Sequence, residues 1–143
     1  MKKSYSFIII LISVIIVSNT GCEKDPIDST TLLVGVWDQV STTTINYYDN
    51  VKQNESTRTY EPGYLVMEIY NNGTAKKYLD GKISDELYWK VEGDLLIMTG
   101  SNGTIVNTAF TVDETDLSIK WAIEGSSDGH LLRTDYMSVY KKQ

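Results

Sequence analysis

The residues best suited to chemistry are one cysteine and one short serine–aspartate–histidine cluster. The chain has 143 residues, with a single cysteine, Cys22, and a single histidine, His130. Ser127, Asp128 and His130 lie together in the stretch "SSDGH". A nucleophilic relay requires such side chains to converge from separate elements, which neighbours in one turn cannot easily do. The stretch is more typical of a hairpin loop, and we expect no enzymatic activity.

Cys22 follows an apolar segment at the amino end of the chain. Lys2 and Lys3 precede an apolar run of 11 residues, positions 7–17, and small or polar residues fill positions 18–21. A basic start, a short apolar core and a polar end are the three parts of a secretory signal. The run is too short for a permanent membrane helix, which needs about 20 residues. The pattern predicts a signal peptide, residues 1–21, cleaved before Cys22.

Three roles for Cys22 are possible in principle: a nucleophile, a disulfide partner or an attachment point. The chain has no second cysteine for an internal disulfide. A reactive thiol needs a neighbouring base, and His130 lies far along the sequence. These observations favour an attachment point.

The residues around the cleavage point resemble the lipobox of bacterial lipoproteins. Thr20-Gly21 precedes Cys22, and the continuation "CEKD" is similar to the acidic stretch behind the anchor in lipoproteins of the Bacteroidota. The resemblance implies that Cys22 is diacylated on sulfur and acylated on its amine. Two or more acyl chains hold a protein firmly at a membrane. We therefore expect a lipid-anchored protein of the cell envelope, at the outer membrane.

Composition limits the remaining possibilities. The net charge is −6, and loss of Lys2 and Lys3 with the leader changes it to −8. An acidic surface repels phosphate backbones, so a nucleic-acid partner is not expected. No calcium-loop spacing is present, and we expect neither a metal nor a cofactor. Residues 22–31 are polar and predict a flexible tether, which leaves residues 32–143 for one domain.

The domain alternates between β-rich runs and turn signals. The clearest alternation places four apolar residues on one face and polar residues on the other, at Leu117, Ile119, Trp121 and Ile123. Such a pattern is typical of strands with one wet and one dry face. Asn72-Gly73 and Asn102-Gly103 are strong hairpin signals.

These signals predict an all-β fold, an antiparallel up-and-down meander of about eight strands. A meander of this length tends to close into a barrel because closure removes exposed strand edges. Residues 48–59 are polar and irregular, and the sequence gives them no clear place in the fold.

The order of several motifs resembles the small lipocalin-like domains of Bacteroidota lipoproteins across residues 32–143. They are "LLVGVW", "YLVMEIYNNGTAKKY", "LYWKVEGDLLIM", "DETDLSIKW" and the late basic residue in "HLLRTDYMSVYKK". The resemblance implies a lipocalin-like barrel with a short 3₁₀ turn before Gly35-x-Trp37. It also implies that Arg133 packs over Trp37 and closes the base of the barrel.

A barrel of eight strands can enclose one small ligand or be filled by its own side chains. Four large side chains fall on the predicted inward faces, and they are the candidate pocket: Met67, Trp89, Trp121 and Met137. The leading hypothesis is a protein that binds a small apolar or amphipathic ligand. An open interior would favour it over a solid core.

The alternative hypothesis is a surface interaction module with a filled barrel and an envelope protein or glycan as its partner. Several tyrosines alternate out of phase with the apolar residues: Tyr70, Tyr78, Tyr88, Tyr136 and Tyr140. If they project outward, they offer rigid contact area with polar tips. The more ordinary interpretation is that they form stabilising cross-strand pairs.

Overall fold

The structure, a computed structural model, describes residues 28–143. The predicted signal peptide, Cys22 and most of the predicted tether lie outside the described residues. The elements in chain order are α1 (Ser29–Leu33), β1 (Gly35–Tyr48), β2 (Val51–Thr59), β3 (Leu65–Ile69), β4 (Thr74–Leu79), β5 (Lys82–Glu92), β6 (Leu95–Gly100), β7 (Ile105–Val112), β8 (Asp116–Ser127) and β9 (His130–Lys142).

All neighbouring strands are antiparallel, and they form one closed sheet. The strand order is β2-β1-β3-β4-β5-β6-β7-β8-β9, and a further pairing of β1 with β9 closes the barrel. Eight strands form this barrel, and β2 is an additional strand. It pairs only with the distal half of β1, residues 41–48, while residues 35–38 of β1 pair with β3. The predicted all-β meander closing into a barrel of about eight strands is confirmed.

The connections explain why a meander forms. Gly73 and Gly103 have φ of 81°, which is the left-handed conformation that an Asn-Gly hairpin requires. Sequence reasoning did not identify the β1–β2 hairpin, where Asp49 and Asn50 both have positive φ, 48° and 64°. The strand that follows, β2, is exposed throughout. A strand that is exposed on both faces has no buried face, so its sequence shows no alternation of apolar and polar residues.

The fully buried side chains lie toward the end of the barrel where α1 is placed. The alternation predicted for β8 is confirmed at this end, where Leu117 and Ile119 are both buried, whereas Ile123 further along the strand is 59% exposed. The largest fully buried apolar side chains are Leu33, Trp37, Met67, Leu96, Leu117 and Ile119. This end, which we call the base, is therefore a packed core.

Trp37 is the centre of the base. Its side chain is 0% exposed, and its indole N–H donates to the carbonyl oxygen of Leu33 in α1 at 2.7 Å. The Lys142 ammonium lies 5.0 Å from the centroid of the Trp37 ring and donates to the carbonyl oxygen of Leu32 at 3.1 Å. A cation over an indole is attracted by the ring. Lys142 thus ties the last strand to both Trp37 and α1.

Gly35 makes this contact possible. A Cβ at this position would lie 2.7 Å from Cε of Lys142, and φ is 146°, a conformation that favours glycine. The group that approaches the chain closely at Gly35 is the Lys142 side chain.

The expectation that Arg133 packs over Trp37 is wrong. In the β1–β9 pairing, Trp37 lies opposite Lys142, whereas Arg133 lies opposite Tyr47 at the far end of both strands. The Arg133 guanidinium is 5.7 Å from the Tyr47 ring and binds Asp135 with an Nε–Oδ1 distance of 2.6 Å. The register of a long antiparallel pair brings only the end of β9 to the base.

The fold begins earlier than the predicted boundary at residue 32. The Asp28 carboxylate accepts a hydrogen bond from the Thr30 backbone N–H at 3.1 Å, which caps α1. The expected 3₁₀ turn is a single α-helical turn, Ser29–Leu33. Residues 28–31 therefore belong to the domain and not to the tether.

Candidate functional site

The barrel interior beyond the base is not filled by side chains. Two adjoining hollows lie there, and both are lined by Lys77, Trp121 and Tyr140. The β6 hollow, on the side of β5 to β8, has a volume of about 350 Å³. The β1 hollow, on the side of β1, β3 and β4, has a volume of about 380 Å³. Each volume is within the range of about 300–1,000 Å³ typical of small-molecule sites.

Part of the wall of the β6 hollow is aliphatic, and the rest includes the charged residues Lys77 and Asp85. Strand alternation brings inward-facing side chains of β5 to β8 to a common surface, namely Leu87, Met98, Val106 and Ile119. Residues of the β6–β7 turn, including Asn102 and Thr104, complete the wall at the end away from the base. This hollow can take an apolar group.

The β1 hollow carries a row of hydrogen-bonded polar groups. The Gln39 amide donates to the Thr42 hydroxyl at 2.6 Å and to the Ser138 hydroxyl at 3.1 Å. The hydroxyls of Thr42 and Ser138 are 3.1 Å apart. A bulge between Gln39 and Ser41 places Gln39 and Thr42 on the same face of β1. This hollow can take a polar group.

The connection between β2 and β3 forms part of the same wall. Tyr60 lines the β1 hollow, and its backbone N–H donates to the Val40 carbonyl oxygen at 3.0 Å. Three residues later, the Gly63 N–H donates to both carboxylate oxygens of Asp38, at 3.0 and 2.9 Å. The buried Asp38 therefore fixes the connection, and with it the Tyr60 side chain, against the barrel.

Lys77 projects into the interior from β4. It follows the buried Ala75 by two positions, and in the sheet it lies opposite Met67 on β3 and Asp85 on β5. Burial lowers the pKa of Lys77, and the Asp85 charge opposes that change less strongly. Among residues 28–143, no carboxylate oxygen lies within 4.0 Å of its ammonium. Sequence reasoning missed this residue because "TAKKYL" has the composition of a solvated strand.

The structure brings two of the four predicted pocket residues to the hollows. Met67 lines the β1 hollow, and Trp121 lines both hollows and stacks on Tyr136 with a centroid distance of 5.1 Å. Trp89 is buried in the base, where its indole N–H donates to the carbonyl oxygens of Tyr70 and Thr74, each at 3.0 Å.

Met137 does not belong to this site. It lies opposite the exposed Lys120 on β8 and opposite Thr43 on β1, on the outer face of the sheet. The inward positions of β9 are instead Tyr136, Ser138 and Tyr140. The predicted phase of β9 is therefore wrong, because its inward positions carry polar or aromatic groups rather than aliphatic ones.

The tyrosines do not form one outward surface. Tyr140 is buried in the core, which raises its pKa to about 12, whereas Tyr88 is 66% exposed. Tyr70 and Tyr78 both donate to the Glu68 carboxylate, Tyr78 at 2.9 Å, and these bonds lower the pKa of Glu68. This arrangement gives no support to a tyrosine-lined docking surface.

The serine–aspartate–histidine cluster lies at the tip of the β8–β9 hairpin. The Nδ1 atom of His130 is 2.7 Å from Oδ2 of Asp49, and the rings of His130 and Tyr48 are 4.7 Å apart. The Ser127 hydroxyl is 3.5 Å from Asp128. The side chains of Asp49 and His130 are about half-exposed. The contact fastens the tips of two hairpins together.

Comparison with protein families and curated proteins gives no match to this chain, and comparison with solved structures gives none either. In the described part of the chain, no three His, Cys, Asp or Glu side chains are grouped so that they could hold a metal ion. No helix within residues 28–143 has the length and apolar character needed to cross a membrane.

Proposed function

We propose that this protein is a lipid-anchored envelope protein whose lipocalin-like barrel binds one small amphipathic molecule. The observation that supports ligand binding most strongly is the unfilled interior above a packed base. Two hollows of about 350 and 380 Å³ are large enough for a small molecule. A filled barrel would have favoured the alternative function, a surface interaction module.

The chemistry of the walls supports an amphipathic ligand. Aliphatic side chains such as Leu87 and Ile119 line the β6 hollow, and burial of an apolar group there is favourable. The hydroxyl and amide groups of Gln39, Thr42 and Ser138 line the β1 hollow. Trp121 lines both hollows, so one molecule can place its apolar part in the β6 hollow and its polar part in the β1 hollow.

Trp121 provides a test of this binding site. Of the three tryptophans, Trp37 and Trp89 are buried in the base, and only Trp121 lines the hollows. We expect dodecanol, added below its solubility limit, to change tryptophan fluorescence in a saturable way. Trp121→Phe should remove most of that change because the base tryptophans do not contact the ligand. A saturable change of full size in Trp121→Phe would place the binding site elsewhere.

The second part of the proposal concerns the anchor. The first described residues, from Asp28 through α1, lie at the base of the barrel. The six steps along the chain from Cys22 to Asp28 can span at most about 22 Å, at about 3.6 Å per residue. A lipid on Cys22 would therefore hold the base near the membrane, with the β6–β7 turn on the opposite side.

Replacing the cysteine tests the anchor independently of ligand binding. We expect Cys22→Ala to accumulate as an uncleaved precursor without lipid, because acylation and cleavage both require the thiol. Mass spectrometry of the membrane-extracted protein measures both changes. A variant that is still acylated and matured like the wild-type protein would contradict the anchor proposal.

A further inference from the structure

We infer that the ligand of this barrel is an anion, a hydrocarbon chain ending in a carboxylate, and that Lys77 binds the carboxylate in the β1 hollow. This inference rests on the proposed ligand-binding function and specifies its substrate class. It assigns a binding role to a residue that the sequence pattern places on a solvated strand.

The charged side chains that line the interior indicate the sign of the charge on the ligand. Lys77 is the one Lys, Arg, His, Asp or Glu side chain among the described residues that line the β1 hollow. The single acidic residue near it, Asp85, lines the β6 hollow. Of these two charged residues, only Lys77 lines the β1 hollow. Burial of a charge is costly, and the Asp85 charge offsets that cost for Lys77 only in part, so an anionic head group adds a favourable partner.

The neighbours of Lys77 in the β1 hollow suit a carboxylate. Oxygen atoms of a carboxylate accept several hydrogen bonds, and hydroxyl groups of Tyr60, Thr42 and Ser138 line the same space. The Tyr60 hydroxyl is 3.5 Å from the Thr42 hydroxyl, a long contact that a closer acceptor can replace. The adjoining β6 hollow then takes the hydrocarbon chain.

The strand itself offers a matched pair of variants. Lys76, the neighbour of Lys77, projects to the other face, where it pairs with Glu86 at 3.3 Å on the surface. Lys77→Met removes the interior charge and keeps an unbranched side chain, whereas Lys76→Met removes a surface charge. We expect Lys77→Met to be at least as stable as the wild-type protein, because it removes a desolvated charge. Loss of binding in this variant would then not be caused by unfolding.

The experiment is a calorimetric titration of the full chain with dodecanoate and with dodecanol. The wild-type protein should bind dodecanoate roughly tenfold to a hundredfold more tightly than dodecanol, as for a charge-assisted hydrogen bond. Lys77→Met should lose this preference, so that dodecanoate binds no more tightly than dodecanol. Lys76→Met should behave as the wild-type protein does, and Lys77→Arg should retain the preference for the carboxylate.

The outcomes separate this inference from the function on which it depends. Equal binding of both probes by the wild-type protein, or a carboxylate preference that survives Lys77→Met, would overturn the role of Lys77 and leave the binding function intact. No binding of either probe would contradict the ligand-binding function itself.

Discussion

Replacement of Trp37 by alanine is expected to destabilise the domain by about 3–5 kcal/mol, the usual cost of removing a large buried aromatic side chain. The ring is completely buried, and its loss leaves a cavity beneath α1. It also removes the partner of the Leu33 carbonyl group and the ring on which the Lys142 ammonium lies. Domains of this size have a free energy of unfolding of only about 5–15 kcal/mol, so this loss is a large part of the total stability.

Urea unfolding followed by circular dichroism measures this change without depending on tryptophan emission. Trp37→Phe is the matched control, because it keeps most of the ring and removes the N–H donor. It should lose clearly less stability than Trp37→Ala. An unchanged unfolding midpoint for Trp37→Ala would show that Trp37 is not the centre of the base.

Replacement of Val106 by tryptophan is expected to prevent binding of an apolar chain while the barrel remains folded. Val106 faces the β6 hollow opposite Met98, and it is 38% exposed, so a larger ring can enter the hollow without displacing the base. We expect the affinity for dodecanol to fall at least tenfold, because the added ring occupies the space of the ligand. Calorimetric titration measures the affinity directly.

The neighbouring position supplies the control for this variant. Ile105 alternates with Val106 on β7 and is 64% exposed. Ile105→Trp adds a ring of the same kind to the outer face and should leave the affinity unchanged. If both variants bound as the wild-type protein does, the ligand would not occupy the β6 hollow.

Much of the fold could be predicted from local patterns. On β8 the apolar residues Leu117 and Ile119 face a packed core and the intervening positions face water, so period-two alternation is visible in the sequence. Asn-Gly pairs mark hairpins because their backbone requirement is local. Strand order in an up-and-down meander then follows from the order of the hairpins.

The interior of the site was harder to predict because its walls are partly polar. On β9 the inward positions carry Ser138 and Tyr136, and the outward positions carry Met137 and Val139, so hydropathy indicates the opposite phase. On β4 one inward residue is Lys77, and its neighbours along the strand, Lys76 and Tyr78, are polar as well. A cation that faces a hollow has no signature in a single sequence, since its environment is created by other strands.

The residue that closes the base could not be predicted either, because it depends on the long-range register of β1 and β9. The β9 strand contains several basic residues, and nothing local distinguishes Arg133 near its start from Lys142 at its end. The pairing of Trp37 with Lys142 is set by the complete β1–β9 ladder and by the bulge after Gln39. A single sequence does not show such a bulge, and a shift of one residue would reverse the face of every side chain.

The proposed ligand, a small amphipathic molecule, is expected to bind inside the barrel. The most direct test is a crystal structure of the protein grown with dodecanoate carrying a terminal bromine, located by its anomalous scattering. We predict one bromine in the β6 hollow, among Leu87, Met98 and Ile119, with the carboxylate in the β1 hollow. Bromine bound only to the outer surface, or an interior without ligand at saturating concentration, would contradict ligand binding inside the barrel.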